Sequence, residues 1–123
     1  MAIILLVEDE QNLCDLYRTM LEAEGHEVLV THDGKSAVQI ARESAPDLVI
    51  MDICLPEKMD GIESMSKMLG EDKKIPVIIN TGYGQYRDNF MTWAAEAYVV
   101  KSADMTPLKE AIARVLAKKA AES

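Results

Sequence analysis

Reactive side chains follow four short apolar runs of this sequence. The runs and their polar followers are Ile3–Val7 with Glu8 and Asp9, Leu48–Met51 with Asp52, Val77–Ile79 with Thr81, and Tyr98–Val100 with Lys101. If these runs are parallel neighbouring strands, their carboxyl ends gather the carboxylates, hydroxyl and ammonium into one crevice. Converging carboxylates repel one another and favour a bound cation, and hard oxygen ligands suit Mg²⁺. The sequence therefore predicts a divalent-cation site.

A repeated strand and helix pattern supplies the elements that must position these groups. The first helix carries an apolar stripe from Leu13 to Leu21 and is expected to stop at Gly25. The remaining predicted elements are a strand at Val28–Val30, a turn or helix cap at Asp33-Gly34, a short helix ending before Pro46, a helix with Ile62, Met65, Met68 and Leu69, a strand at Ile75–Ile79, a weaker helix from Tyr86 to Ala95, and a helix from about Pro107. Thr106 is the predicted cap of that last helix, and its tail from Lys118 to Ser123 is expected to fray. This (βα)₅ pattern predicts a parallel sheet between two helical layers.

Composition and charge narrow the class of protein. At 123 residues with 49% hydrophobic content, the chain is expected to form one domain, residues 1–123, because domains commonly hold roughly 100–150 residues. A net charge of -8 argues against direct binding of nucleic acid. Cys14 and Cys54 form no CxxC pair, so we predict neither a disulfide framework nor a zinc site and expect the cytoplasm. The opening apolar run is too short for a signal peptide or a membrane span.

Once these residues are taken together, the chain resembles the receiver domains of two-component response regulators. The resemblance rests on Val7-Glu8-Asp9-Glu10, on Met51-Asp52 with Leu55-Pro56 and Met59-Asp60-Gly61, on Asn80-Thr81, and on Tyr98 with Lys101. It spans nearly the whole chain. It implies a flavodoxin-like doubly wound α/β fold with strand order 2-1-3-4-5 and helices on both faces.

The resemblance also implies roles for the residues at the strand ends. Asp52 would be the phosphoacceptor, with Lys101 offsetting charge on the transferring oxygens. Mg²⁺, or Mn²⁺ in its place, would be bound by Asp9, Asp52 and the backbone carbonyl of Cys54, with Glu8 reaching it through water. His26 and His32 flank the second strand, and we place both away from this site.

Two further pairs of residues take roles from the same resemblance. Thr81 and Tyr98 would form a conformational switch, in which the Thr81 hydroxyl binds the new phosphoryl group and the Tyr98 ring changes rotamer. Cys54 and Tyr83 stand two residues past Asp52 and Thr81, where family members tune phosphoryl lifetime. A bulky Tyr83 is expected to slow hydrolysis.

The implied function is a signalling module rather than a turnover enzyme. It would take a phosphoryl group from a histidine kinase or a histidine phosphotransfer protein and control an output domain or downstream protein, with phosphorylation-dependent homodimers as a further expectation. Alternatives are a Mg²⁺ phosphohydrolase with an aspartyl-phosphate intermediate, a flavodoxin-like ligand-binding module, and a degenerate receiver that acts only by protein interaction.

Three departures from the family pattern bear on these alternatives. Ser102 stands where a Pro usually follows the Lys, so we expect a trans peptide there and a less firmly held Lys101. One extra residue lies between Pro56 and Gly61, and Ala94 stands where Gly is frequent. The first two changes keep the degenerate receiver open.

Overall fold

The protein is built around one parallel five-stranded sheet. A computed structural model describes residues 2–52, 61–71, 75–82 and 95–122. The strands are β1 Ile3–Val7, β2 Glu27–Thr31, β3 Leu48–Met51, β4 Val77–Thr81 and β5 Ala97–Val100. They lie in the order β2-β1-β3-β4-β5, and each neighbouring pair is parallel. The strand order implied by the resemblance is confirmed.

Helices cover both faces of this sheet. They are α1 Gln11–Ala23, α2 Gly34–Ser44, α3 Gly61–Glu71 and α4 Thr106–Glu122. Strand side chains alternate, so that Leu5 and Val7 pack with α2 and α3 while Ile4 and Leu6 pack with α1 and α4. Burial on both faces explains why the central strands are continuously apolar. Among the described helices, none is long and apolar enough to cross a bilayer.

Local sequence signals set several helix ends. The Asp33 carboxylate accepts a hydrogen bond of 2.7 Å from the amide of Ser36, as a residue capping the start of α2 should. The same helix stops at Ala45, which adopts a left-handed conformation with φ of 46° before Pro46. Gly25 has φ of 91° just after α1, in the conformation for which glycine was expected there.

Other boundaries differ from the sequence predictions. β4 begins at Val77 rather than Ile75 and continues through the polar residues Asn80 and Thr81, which are buried. The tail expected to fray is helical to Glu122. Lys118 pairs there with Glu96 at 3.1 Å and Lys119 with Asp47 at 3.2 Å, and these contacts fasten the last turns of α4.

The start of α4 and the predicted helix before β5 are the two remaining helix boundaries. α4 begins at Thr106, and the side-chain acceptor at its start is the Asp104 carboxylate, which receives the amide of Thr106 at 2.9 Å. The predicted helix from Tyr86 to Ala95 lies outside the described residues except for Ala95, which forms a bend.

Candidate functional site

Strand register brings two of the predicted carboxylates side by side. Val7 of β1 pairs with Met51 of β3, so the residues that follow, Glu8 and Asp52, leave the sheet at the same level. The amide of Asp52 donates to the carbonyl of Val7 at 3.0 Å. The hydrogen-bond ladder between β1 and β3 therefore continues into the site. Backbone pairing alone brings Glu8 and Asp52 close together, independently of any contact between their side chains.

Lys101 follows the edge strand β5 and contacts both carboxylates. Its amide donates to the carbonyl of Thr81 at 2.7 Å, which extends the pairing of β5 with β4 by one bond. Strand β5 lies two strand spacings, or roughly 10 Å, from β3. The long Lys101 side chain spans this separation, and its Nζ lies 2.7 Å from Asp52 Oδ2 and 2.7 Å from Glu8 Oε1. The peptide bond before Ser102 is trans, as expected. Lys101 contacts both carboxylates without a Pro after it.

Burial shapes the electrostatics of this cluster. Glu8 is 1% exposed and Asp52 is 6% exposed. Burial raises the pKa of the Glu8 carboxyl, although the hydrogen bond and charge of Lys101 act in the opposite direction. Burial also lowers the pKa of Lys101, but the hydrogen bonds and charges of Asp52 and Glu8 outweigh this, and its pKa is raised overall. Lys101 is therefore a stable cation placed between two buried carboxyl groups.

The donor atoms of the cluster fit a divalent cation. One carboxylate oxygen from each of Glu8, Asp9 and Asp52 can be chosen so that all three lie within 4.8 Å of one another. Three carboxylates against the single ammonium of Lys101 leave two negative charges, which a dication would balance. Asp9 is exposed, which gives an ion access from solvent. An all-oxygen set with few protein ligands suits Mg²⁺, which keeps several waters.

The proposed switch residues lie on the two strands beside the carboxylates. Thr81 is fully buried at the end of β4. Tyr98 pairs in register with Ile79 and packs, half-buried, against the core layer that α2 and α3 cover. Cys54 and Tyr83 lie outside the described residues, as do the extra loop residue and Ala94.

Sequence reasoning misplaced His32. Its Nδ1 lies 2.9 Å from the backbone carbonyl oxygen of Glu8, and Cys14 Sγ lies 3.2 Å from the same oxygen. The placement of His32 away from the site is therefore wrong. The cause is register: Val7 pairs with Thr31, so the residue after Thr31 stands beside the residue after Val7. The strand order 2-1-3 was the available signal, because it sets β2 beside β1. Aligning Val7 with Val30, the end of the predicted strand, would still have placed Thr31 rather than His32 beside Glu8.

A second polar pair lies beneath the site. Tyr17 of α1 is 3% exposed and shares a side-chain hydrogen bond with Asn80, which is also 3% exposed and directly precedes Thr81. Burial raises the pKa of the Tyr17 phenol, so the phenol stays neutral. In the sequence, Tyr17 read only as one position of an apolar stripe. The polar Asn80 within an apolar strand was the available signal.

Sequence comparisons agree with this geometry. Residues 4–113 match the family described as response regulator receiver domain. The chain is 38% identical over 103 residues to the polar-differentiation response regulator DivK of Brucella anthropi, which covers 80% of this chain and 82% of DivK. It is 32% identical over 115 residues to the regulatory protein AtoC of Escherichia coli, covering 92% of this chain but only 25% of AtoC.

Solved structures show the same fold. The response regulator protein TrrA of Thermotoga maritima, in complex with Mg²⁺ and BeF, superposes with a TM-score of 0.89 at 35% identity, covering 94% of this chain and 99% of TrrA. TrrA has also been solved in complex with the histidine kinase ThkA, and that copy gives a TM-score of 0.87 at 35% identity, with the same coverage of both chains. The chain belongs to the response regulator receiver domain family of two-component systems.

Proposed function

We propose that this receiver domain accepts a phosphoryl group on Asp52 and signals through the resulting change of conformation. One observation carries the proposal: Asp52 lies with Glu8 and Asp9 in one acidic cluster and binds Lys101 at 2.7 Å. A receiver that transfers no phosphoryl group has no need for an ammonium held this close to Asp52. Family membership and the complex of TrrA with a histidine kinase support the same function.

Asp52 acts as the nucleophile in this proposal. Its carboxylate oxygen forms a bond to the phosphorus of a phosphohistidine on the partner protein, and the phosphorus to nitrogen bond breaks. The electron pair of the broken bond stays on the imidazole nitrogen. Because the other ring nitrogen carries a proton, the partner leaves as neutral imidazole, and Asp52 becomes an acyl phosphate.

The surrounding residues stabilise charge rather than move protons. Lys101 already touches Asp52 Oδ2 and, by a modest shift of its ammonium, can contact a phosphoryl oxygen attached there. Asp9, Asp52 and the Cys54 carbonyl, with Glu8 nearby, would hold a Mg²⁺ ion, and that ion would supply positive charge to offset the charge on the transferring oxygens. Phosphoryl transfer depends mainly on positioning and charge neutralisation, so this site works without a strong base.

Thr81 and Tyr98 convert the modification into a shape change. The Thr81 hydroxyl donates to the phosphoryl oxygen, which draws the end of β4 toward Asp52, and the half-buried Tyr98 ring moves into the space that this opens. Reversing a population from 1:99 to 99:1 needs about 5.5 kcal/mol. One hydroxyl bond and one charge-assisted bond from Lys101 are of suitable order.

The partner that donates the phosphoryl group is a histidine kinase or a histidine phosphotransfer protein. Residues 1–123 act as one receiver domain in the cytoplasm, where the free thiol of Cys14 stays reduced. The domain catalyses only its own phosphorylation and dephosphorylation. It passes the signal to an output domain or to a downstream protein, and phosphorylated copies pair as homodimers.

Intact-mass spectrometry after incubation with acetyl phosphate tests the proposal. We expect the wild type to gain one phosphoryl group in Mg²⁺ and none after chelation, and Asp52→Asn to gain none in either condition. Thr81→Ala should accept the group without the full shape change. Equal labelling of Asp52→Asn would move the acceptor elsewhere, and sustained release of phosphate from phosphate esters would favour the phosphohydrolase.

A further inference from the structure

Two donors from different elements converge on one backbone carbonyl at the edge of the acidic cluster. The Glu8 carbonyl oxygen receives His32 Nδ1 at 2.9 Å and Cys14 Sγ at 3.2 Å. His32 follows β2, and Cys14 lies in the first turns of α1. Because a carbonyl oxygen only accepts, the His32 ring must carry its proton on Nδ1.

This carbonyl belongs to the peptide bond that leads into Asp9. The amide of Glu8 donates to Thr31 at 3.1 Å, so the Glu8 backbone is held on its amide side by β2 and on its carbonyl side by His32 and Cys14. The plane of the Glu8–Asp9 peptide is thus fixed. That plane sets the direction in which the Asp9 side chain leaves the backbone.

Asp9 depends on this backbone more than its two acidic neighbours do. The Glu8 carboxylate is held by Lys101 at 2.7 Å and by the amide of Glu10 at 3.2 Å, and the Asp52 carboxylate is also held by Lys101. Within the part of the chain that the structure describes, the exposed Asp9 carboxylate has no hydrogen bond or ion pair. Its place in the cluster therefore comes from the peptide that precedes it.

We propose that His32, assisted by Cys14, is a positioning residue for the metal site and acts through the Glu8–Asp9 peptide. This inference rests on the proposed function, because it assumes that Asp9 binds the cation. His32 is the stronger of the two donors, since an imidazole N–H bond of 2.9 Å exceeds a thiol bond in strength. Its ring is exposed, so replacing it leaves the core intact.

Variants at position 32 separate positioning from general stability. His32→Leu keeps a bulky side chain but loses the donor, whereas His32→Asn places an amide nitrogen as many bonds from the backbone as Nδ1. Ser36→Ala is the matched control, because it removes a nearby hydrogen bond to Asp33 of 3.1 Å that does not involve Glu8.

Titration calorimetry with MgCl₂, at a temperature where every variant is folded, gives the decisive readout. We expect His32→Leu to weaken Mg²⁺ binding roughly threefold to tenfold, with His32→Asn and Ser36→Ala close to the wild type. Cys14→Ala should bind more weakly than Cys14→Ser.

The outcomes distinguish this inference from the proposed function. Wild-type affinity in His32→Leu, or equal weakening by Leu and Asn, would overturn the positioning role alone. A wild type that binds no Mg²⁺ would overturn the metal site and the positioning role together.

Discussion

Replacing Lys101 by Met should destabilise the metal-free protein because it leaves two buried carboxylates without their cation. Lys101 Nζ lies 2.7 Å from both Glu8 Oε1 and Asp52 Oδ2. Met is one heavy atom shorter than Lys and keeps much of the apolar volume of its side chain. The variant therefore removes charge and hydrogen bonds with little change in packing.

The structure sets the size of this effect. Glu8 and Asp52 are 1% and 6% exposed, and the Lys101 side chain is 19% exposed. Removing one partner of a buried ion pair commonly costs about 3–5 kcal/mol. The partial exposure of Lys101 places this case at the lower end, about 3 kcal/mol, which corresponds to a fall of roughly 12 °C in Tm for a chain of this size.

The pH dependence has a definite sign. Burial already raises the pKa of Glu8, and loss of Lys101 raises it further. A carboxyl whose pKa is higher in the folded state favours folding at low pH, and this contribution is lost as pH rises through the folded pKa. The gap between wild type and Lys101→Met should therefore be wider at pH 7.5 than at pH 5.

Urea unfolding followed by circular dichroism, with and without Mg²⁺, measures the change. Lys109→Met is the matched control, since Lys109 is exposed and should tolerate the same substitution without measurable loss. Mg²⁺ should narrow the gap, because the dication replaces the missing positive charge between the carboxylates. A Lys101→Met protein as stable as Lys109→Met in chelator, or a gap that Mg²⁺ widens, would refute this electrostatic reasoning.

Two smaller predictions concern polar contacts outside the acidic cluster. Tyr17→Phe should lower the free energy of unfolding by about 1–2 kcal/mol, because it leaves Asn80 buried without its partner, and a Tyr17→Phe/Asn80→Leu double variant should recover part of the loss in urea titrations. The hydrogen bond from the Ile3 amide, and after it the Lys119 side chain, lowers the pKa of Asp47. The ionised Asp47 therefore adds to the free energy of unfolding above the unfolded pKa of ~3.9, and this contribution is lost as the pH falls through the folded pKa. Because the Asp47 side chain is 42% exposed, Asp47→Asn should cost less than about 1 kcal/mol at pH 7, and the difference in Tm should shrink steadily as the pH falls below the unfolded pKa. A difference in Tm that stays constant as the pH falls would assign the effect to something other than this charge.

Strands whose ends carry strong signals were predictable from the sequence. Leu48–Met51 is bounded by Asp47 and Asp52, and the structure gives β3 the same limits. β4 was placed too early because Ile75 is apolar, although Pro76 cannot donate to a ladder. Its polar end at Asn80 and Thr81 was not recognised as strand, because the hydrogen bond that allows Asn80 to be buried comes from Tyr17, more than sixty residues earlier in the sequence.

The functional cluster was predictable only as far as parallel strands imply it. Glu8, Asp52 and Lys101 follow apolar runs, so their shared edge was expected, and their contacts are observed. His32 follows a weaker, more polar strand, and its approach to Glu8 depends on the register of β1 with β2, which the sequence alone does not fix.

Locating the acyl phosphate tests the central claim most directly. Borohydride reduces an acyl phosphate on aspartate to homoserine, and peptide mass spectrometry then identifies the converted residue. After incubation with acetyl phosphate and Mg²⁺, the account predicts homoserine at position 52 of the wild type and nowhere else. Conversion at another acidic residue, or none in a protein that binds Mg²⁺, would contradict it.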